Sequence, residues 1–251
     1  VIPLKDYNPT RRFPVVTVLL IVVNVYVYFL VQRPNAARTS ELRFNYSYAA
    51  IPCEVVEGQP LSEDEISHTL EDGNTEACVH HDVTPPVFPD KNIYLALLYS
   101  MFLHGSVLHI AGNMLFLWIF GNNIEDRMGI PGYVGFYLAA GIVASAAHIL
   151  VQPNSTVPVV GASGAIAGVM GAYLVLFPNV RIRTLFLFLL ILIRDVKAKW
   201  LLGFWFVLQF FTNPSAGVAW VAHVGGFIFG ALVALALRGR LRPAPEPLPT
   251  Y

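Results

Sequence analysis

The stretch VVGASGAIAGVMGAYLVLF, residues 159–177, is apolar almost throughout, holds one aliphatic hydroxyl, Ser163, and is punctuated by Gly161, Gly164, Gly168 and Gly171. Glycine costs about 1 kcal/mol relative to alanine inside a helix, so its repetition in a lipid-soluble segment calls for a packing reason. Gly164, Gly168 and Gly171 or Ala172 fall on one helical face, and such small-residue stripes let a second backbone approach closely. Gly226, Gly230 and Ala234 form a similar stripe in the last apolar run. Two helices pressed together along these stripes would bring a second helix within reach of the Ser163 hydroxyl.

The rest of the chain agrees with a lipid setting. Of 251 residues, 55% are apolar and 13% charged, where soluble domains carry about 25% charged residues. The mean hydropathy is +0.58. A polytopic membrane protein follows, and the zero net charge offers no basic field for nucleic acid. The first apolar run has full span length, so no removable signal peptide is expected.

Apolar runs predict six spans: 13–32, within 94–120, within 132–151, 161–177, 198–212 and 217–237. The run 198–212 is short, about 22 Å as helix against a hydrocarbon core of about 30 Å, with Lys197 and Lys199 placed to snorkel. The run 185–193, flanked by Arg181, Arg183 and Arg194, is too short to span and is expected on the inner interface. With the N-terminus inside, 12 of the 16 Lys and Arg residues lie inside, and the other four (Arg33, Arg38, Arg43 and Lys91) fall in one outer segment. The positive-inside rule selects that orientation. The expected fold is an all-α membrane protein, a six-transmembrane-helix bundle with both termini cytoplasmic. Residues 1–12 form a cytoplasmic N-terminus, 13–32 the first span, 33–93 an extracytoplasmic loop, 94–237 the core of spans 2–6 and 238–251 a disordered Pro-rich cytoplasmic tail. The small intracellular parts and short loops suit a bacterial plasma membrane, with an organelle membrane as the alternative.

The 33–93 segment holds 11 of the 16 carboxylates and too few apolar residues for a large core. Its Cys53 and Cys78 are the chain's two cysteines, and in an oxidising space they read as a disulfide. His68, His80 and His81 read as solvated loop histidines.

Polar residues inside lipid are costly and therefore functional candidates. The second span holds His104, His109 and Asn113, the third His148, the fourth Ser163 and the sixth His223. In the alternating topology Ser163, His223 and the His109–Asn113 pair share one level, within roughly the outer 10 Å, and the pair lies on one helical face because its members are four residues apart. Serine needs a base to become a nucleophile, and His223 is the ionisable candidate on the last span. His109, Asn113 and the Ser163 N–H, at a helix N-terminus, could hold an oxyanion. No carboxylate sits at this depth, so the chemistry is that of a dyad, and a metal set of His104, His109, Asn113 and His148 lacks a carboxylate or thiolate. No metal is expected.

The motifs HGSVLHIAGN (104–113), GASG (161–164) and AHVGGFIFG (222–230), in that order on alternate spans, together with GNNIEDRMG (121–129), resemble the rhomboid intramembrane serine proteases over residues 95–237. The resemblance implies Ser163 as nucleophile, His223 as general base, His109 and Asn113 with the Ser163 N–H as oxyanion stabilisers, and His104 in a structural role. It implies a water-filled cavity open to the outside, no cofactor, and single-span membrane proteins as substrates, cut near the outer interface after local unwinding. This chain departs from the pattern at Ala167, where many members carry an aromatic against the catalytic histidine, and at Gly112, where some carry a bulky group. The 33–93 segment is longer than the insertion of simple bacterial members. Two other readings stand beside the protease: a non-catalytic rhomboid-like protein that binds client helices, which usually lacks the serine or the histidine, and a small transporter, which would place charges at mid-membrane.

Overall fold

The computed structural model describes residues 1–33, 38–78, 84–187, 191–212 and 219–241. His80, His81, Gly217 and residues 242–251 of the tail lie outside the described residues.

The chain begins with a strand, β1 (Ile2–Asp6), and then α1 (Val15–Tyr26), which continues as a π-helical stretch to Gln32. Short helices follow: α2 (Arg38–Tyr48), α3 (Pro52–Glu57), α4 (Glu63–Leu70) and α5 (Ala96–Tyr99). The next apolar segment is α6 (Val107–Phe116), a π-helical stretch (Leu117–Gly121) and α7 (Asn122–Met128). Then come α8 (Ile130–Val151), α9 (Ser163–Leu176), strands β2 (Arg181–Leu187) and β3 (Ile191–Lys197), α10 (Ala198–Gln209) and α11 (Trp220–Leu237). Among the described residues four segments are long and apolar enough to cross a membrane: 15–32, 107–128, 130–151 and 220–237. Helix α9, at 14 residues, and α10, at 12, are shorter.

The second apolar run differs from its expected bounds. Its helix starts at Val107, capped by the Ser106 hydroxyl, which accepts the His109 N–H. Residues 96–102 form separate short turns, so His104 precedes the helix instead of lying in it. The cap explains the shift, because a serine in extended conformation satisfies the first-turn donors and fixes the start.

The all-α expectation needs a larger correction. β1, β2 and β3 form an antiparallel sheet in that order, with Ile2 opposite Leu185 and Arg181 opposite Lys197. Residues 181–184 alternate exposed arginine with buried Ile182 and Thr184, the period-two signature of a half-buried strand. The described residues of the run 185–193 thus belong to two antiparallel strands, and Ile2–Asp6 of the segment 1–12 supplies the third. The segment 33–93, expected as a loop, contains α2, α3 and α4, which gather around a small cluster of Tyr46, Ile51, Cys53 and Leu61.

Helix α9 is the centre of the bundle; every residue from Gly164 to Tyr173 is buried. The glycine stripes explain how. A methyl group built on Gly226 would overlap the Gly164 carbonyl oxygen, one on Gly230 the Gly168 oxygen, and one on Gly171 the Phe227 oxygen. On its other side α9 meets α8, where a methyl on Gly164 or Gly168 would come within 2.6 Å of Ala144 or Ala140 Cβ. Dispersion between close backbones, rather than side-chain burial, holds these helices together.

Polar ties fix the end where the sheet lies. The Glu125 carboxylate of α7 accepts the N–H groups of Val16 (2.9 Å) and Thr17 (2.8 Å) and the Thr17 hydroxyl (2.8 Å), capping the first turn of α1. Asp6 of β1 accepts Asn123 Nδ2–H at 2.7 Å and the Tyr173 hydroxyl at 2.8 Å. At the opposite end, Gln32 bonds both backbone groups of His104.

Candidate active site

Ser163 opens α9, and His223 lies one turn inside α11, whose Gly226 touches Gly164. The close glycine contact leaves the two side chains facing each other: Ser163 Oγ is 2.8 Å from His223 Nε2. The other ring nitrogen, Nδ1, is 2.8 Å from Gln209 Oε1 at the end of α10. Trp205, one turn earlier on α10, lies over the His223 ring at 5.8 Å between centroids and 38° between planes.

His109 and Asn113 stand one turn apart on α6. The Gly105 N–H donates to His109 Nδ1 over a long 3.4 Å, so the neutral ring carries its proton on Nε2. That nitrogen faces Gly161. A methyl group on Gly161 would lie 2.9 Å from His109 Nε2 and 3.4 Å from Ser163 Oγ, and Gly161 has φ +131°, a conformation L side chains rarely adopt. Gly161 is therefore glycine for two reasons: backbone conformation, and a space between imidazole and hydroxyl too tight for a side chain. Asn113 Nδ2 is buried and makes no hydrogen bond among the described residues, so it is a free donor. The fully buried His104 ring packs edge-on against His109 (5.2 Å) and Tyr28 (6.2 Å).

The loop into Ser163 is held from above by the segment around α3 and α4. Cys53 N–H donates to Ser155 O at 3.0 Å, Thr156 N–H to Thr75 O at 3.0 Å and Val159 N–H to Ala50 O at 2.8 Å. The Thr69 and Thr156 hydroxyls are 2.6 Å apart. Cys53 and Cys78 form a disulfide, with Cα atoms 5.8 Å apart. The Glu54–Lys91 ion pair, at 2.6 Å, is buried beneath this cap. Burial pushes the Glu54 carboxyl up and the Lys91 ammonium down, and their mutual attraction opposes both shifts. His68 pairs with Asp72 at 2.6 Å. Beneath the loop, beside Ser163, lies a cavity of about 20 Å³ lined by Ser100, Ser145, Gly161 and Gly164 among others, large enough for one water.

The structure sets His223 against Ser163, places His109 beside the intervening Gly161 and packs the glycine stripes of α9 and α11 against each other. Sequence reading passed over Gln209 and Gln32. Each is an amide near the end of an apolar run; the four-residue spacing from Trp205 to Gln209 was the available signal for the first.

An apolar helical bundle whose closest helix pair joins a serine to a histidine is the class defined here. The rhomboid domain family matches residues 91–240, and the chain belongs to the rhomboid family. It is similar to rhomboid protease GluP of Bacillus subtilis (32% identical over 167 residues, 65% of this chain and 30% of that protein). It is also similar to the mitochondrial presenilin-associated rhomboid-like protein of Mus musculus (32% over 145 residues, 53% and 36%) and to mitochondrial rhomboid protein 1 of Saccharomyces cerevisiae (29% over 149 residues, 55% and 40%). The matches therefore span 30–40% of the length of these three relatives. The family is membrane-embedded and multi-pass.

Proposed function

We propose that this chain is an intramembrane serine endopeptidase that cleaves single-span membrane proteins near the outer interface through an acyl-enzyme. The observation that carries the reading is the 2.8 Å approach of Ser163 Oγ to His223 Nε2. All six apolar segments cross the bilayer, with both termini cytoplasmic and the site facing outwards. That orientation puts Arg181, Arg183, Arg194 and Lys197 of the sheet region inside and the Cys53–Cys78 bridge in an oxidising space. A bacterial plasma membrane fits it.

Depth follows from length. Helix α9 has 14 residues, about 21 Å against a core of about 30 Å, so its first residue begins below the outer interface. Irregular backbone is tolerated there because it lines a wet cavity, and water is the second substrate.

Ser163 Oγ–H gives its proton to His223 Nε2 as Oγ bonds to the substrate carbonyl carbon. The carbonyl oxygen, now negative, enters the gap beside Gly161, where His109 Nε2–H, Asn113 Nδ2–H and the Ser163 N–H stabilise it, each such donor contributing about 3 kcal/mol. His223 returns the proton to the departing amine as the C–N bond breaks. Water, deprotonated by His223, then releases the acid and restores the hydroxyl. No cofactor takes part.

A fluorophosphonate probe in detergent tests this: it labels the wild type at Ser163 and leaves Ser163→Ala unlabelled. Equal labelling of both refutes the nucleophile, and no labelling of either turns the reading to a non-catalytic binder of client helices.

A further inference from the structure

We propose that Gln209 is a positioning residue that selects the tautomer of His223, so that a neutral amide completes a relay Ser163–His223–Gln209. The proposal rests on the serine protease reading and adds a member to its machinery.

The argument is one of donors and acceptors. Gln209 is buried, and both ends of its amide are engaged: Nε2 donates to the Trp205 carbonyl at 3.0 Å, and Oε1 meets His223 Nδ1 at 2.8 Å. A backbone carbonyl can only accept, so the amide nitrogen must face Trp205 and the oxygen must face the imidazole. That oxygen also can only accept, so Nδ1 carries the ring proton. The neutral ring then has its lone pair on Nε2, the atom 2.8 Å from Ser163 Oγ. Reversing the amide would set its nitrogen toward His223 and strand the Trp205 carbonyl against an oxygen. The orientation that satisfies every group is the one in which His223 can take the serine proton.

Helix α10 fixes the ring plane as well. Trp205 and Gln209 are four residues apart on one face, and Trp205 packs, tilted by 38°, against the imidazole that Gln209 holds by its edge. Helix α9 offers only Ala167 at the site of an aromatic brace, so α10 supplies both the packing ring and the edge hydrogen bond.

The electrostatic consequence is specific. The titratable groups acting on His223 are His109 from α6 and His148 from α8; α9 presents Ser163, and α10 presents Gln209 and Trp205. A carboxylate in place of the amide would add a negative charge where none stands and favour the imidazolium.

The test is the pH profile of fluorophosphonate labelling in detergent for the wild type, Gln209→Leu, Gln209→Glu and Ser163→Ala. Gln209→Leu is expected to label about 10- to 100-fold more slowly, short of the roughly 10⁴-fold loss seen when a triad imidazole is locked in the wrong tautomer. Gln209→Glu restores labelling near neutral pH and moves the acid limb to higher pH, a shift that a purely structural role would not produce. Nitrogen-15 spectra of histidine-labelled wild type, assigned with His223→Gln, give a readout independent of activity and of variant folding: the proton sits on Nδ1 in the neutral ring. A proton on Nε2, or Gln209→Leu labelling like the wild type at every pH, overturns the proposal while leaving the protease reading intact. A wild type that never labels overturns both.

Discussion

The carbonyl oxygen of Gly168 lies where a side chain on Gly230 would begin, so α9 and α11 meet backbone to backbone between one and two turns below the Ser163–His223 hydrogen bond. Gly230→Ala cannot be relieved by a rotamer change, because the obstacle is main chain. The helices must separate, at a cost of about 3 kcal/mol for overpacking of this kind, and the separation lengthens the Ser163–His223 distance. A misplacement of about 1 Å is enough to slow a reaction roughly 100-fold. Gly203→Ala in α10 is the control, since a methyl there meets nothing within 4 Å. Thermal unfolding and probe labelling should both fall for Gly230→Ala and hold for Gly203→Ala.

Disulfide reduction should reach the site through the cap. Cys53 donates its N–H to Ser155, and Thr75, three residues before Cys78, accepts from Thr156. The bridge therefore ties together both strands of cap that pin the loop into Ser163. Opening a loop with a sequence separation of 25 removes roughly 3 kcal/mol on the chain-entropy model. Cys53→Ala with Cys78→Ala, or mild reduction, should expose residues 38–78 to proteolysis and slow Ser163 labelling several-fold. An unchanged labelling rate in fully reduced protein would mean that the loop holds without the cap.

What the sequence disclosed depended on locality. Ser163 and His223 stand out because each is a lone polar group in an apolar run, and the glycine stripes are periodic, so helix order and the reacting pair could be read together. Gln209 was not separable from loop polarity, because it closes a short helix that hydropathy barely supports. The strands 181–187 and 191–197 were hidden for a different reason: the two-residue alternation covers only Arg181–Thr184, and the apolar run that follows has no such period. Cap contacts such as Cys53–Ser155 and Ala50–Val159 join segments some hundred residues apart, and no periodicity encodes such pairs.

The buried ion pair of the cap should behave asymmetrically. Lys91→Met leaves the Glu54 carboxyl buried without its counter-charge, which destabilises by about 3–5 kcal/mol. Adding Glu54→Gln removes the orphan charge and keeps an acceptor for the Leu61 N–H, now 3.1 Å from Glu54 Oε1. The double variant should therefore be more stable than Lys91→Met alone. The single variant also gains a pH signature. Burial already raises the Glu54 carboxyl, and without Lys91 it rises further, so stability falls as pH climbs through that raised value. Denaturation curves at several pH values would check both, and a double variant no better than the single one would contradict this account.

Asp6 supplies the last prediction. It is 9% exposed, and burial pushes its carboxyl up to about 6 from the ordinary 3.8, against the lowering effect of its hydrogen bonds from Tyr173 and Asn123. A carboxyl that binds its proton more tightly in the folded state gives stability that is fully present below about pH 4 and is lost as pH rises through about 6. Two units correspond to on the order of 2–3 kcal/mol. Asp6→Asn keeps an acceptor for Asn123 and Tyr173 and cannot ionise. The variant and the wild type should unfold alike near pH 4, and the variant should be the more stable above pH 7. The difference should open between those values, in the window set by β1 docking a carboxyl against α7 and α9. Parallel stability curves across that range would show that Asp6 is hydrated in the folded protein and that β1 is not seated on the bundle.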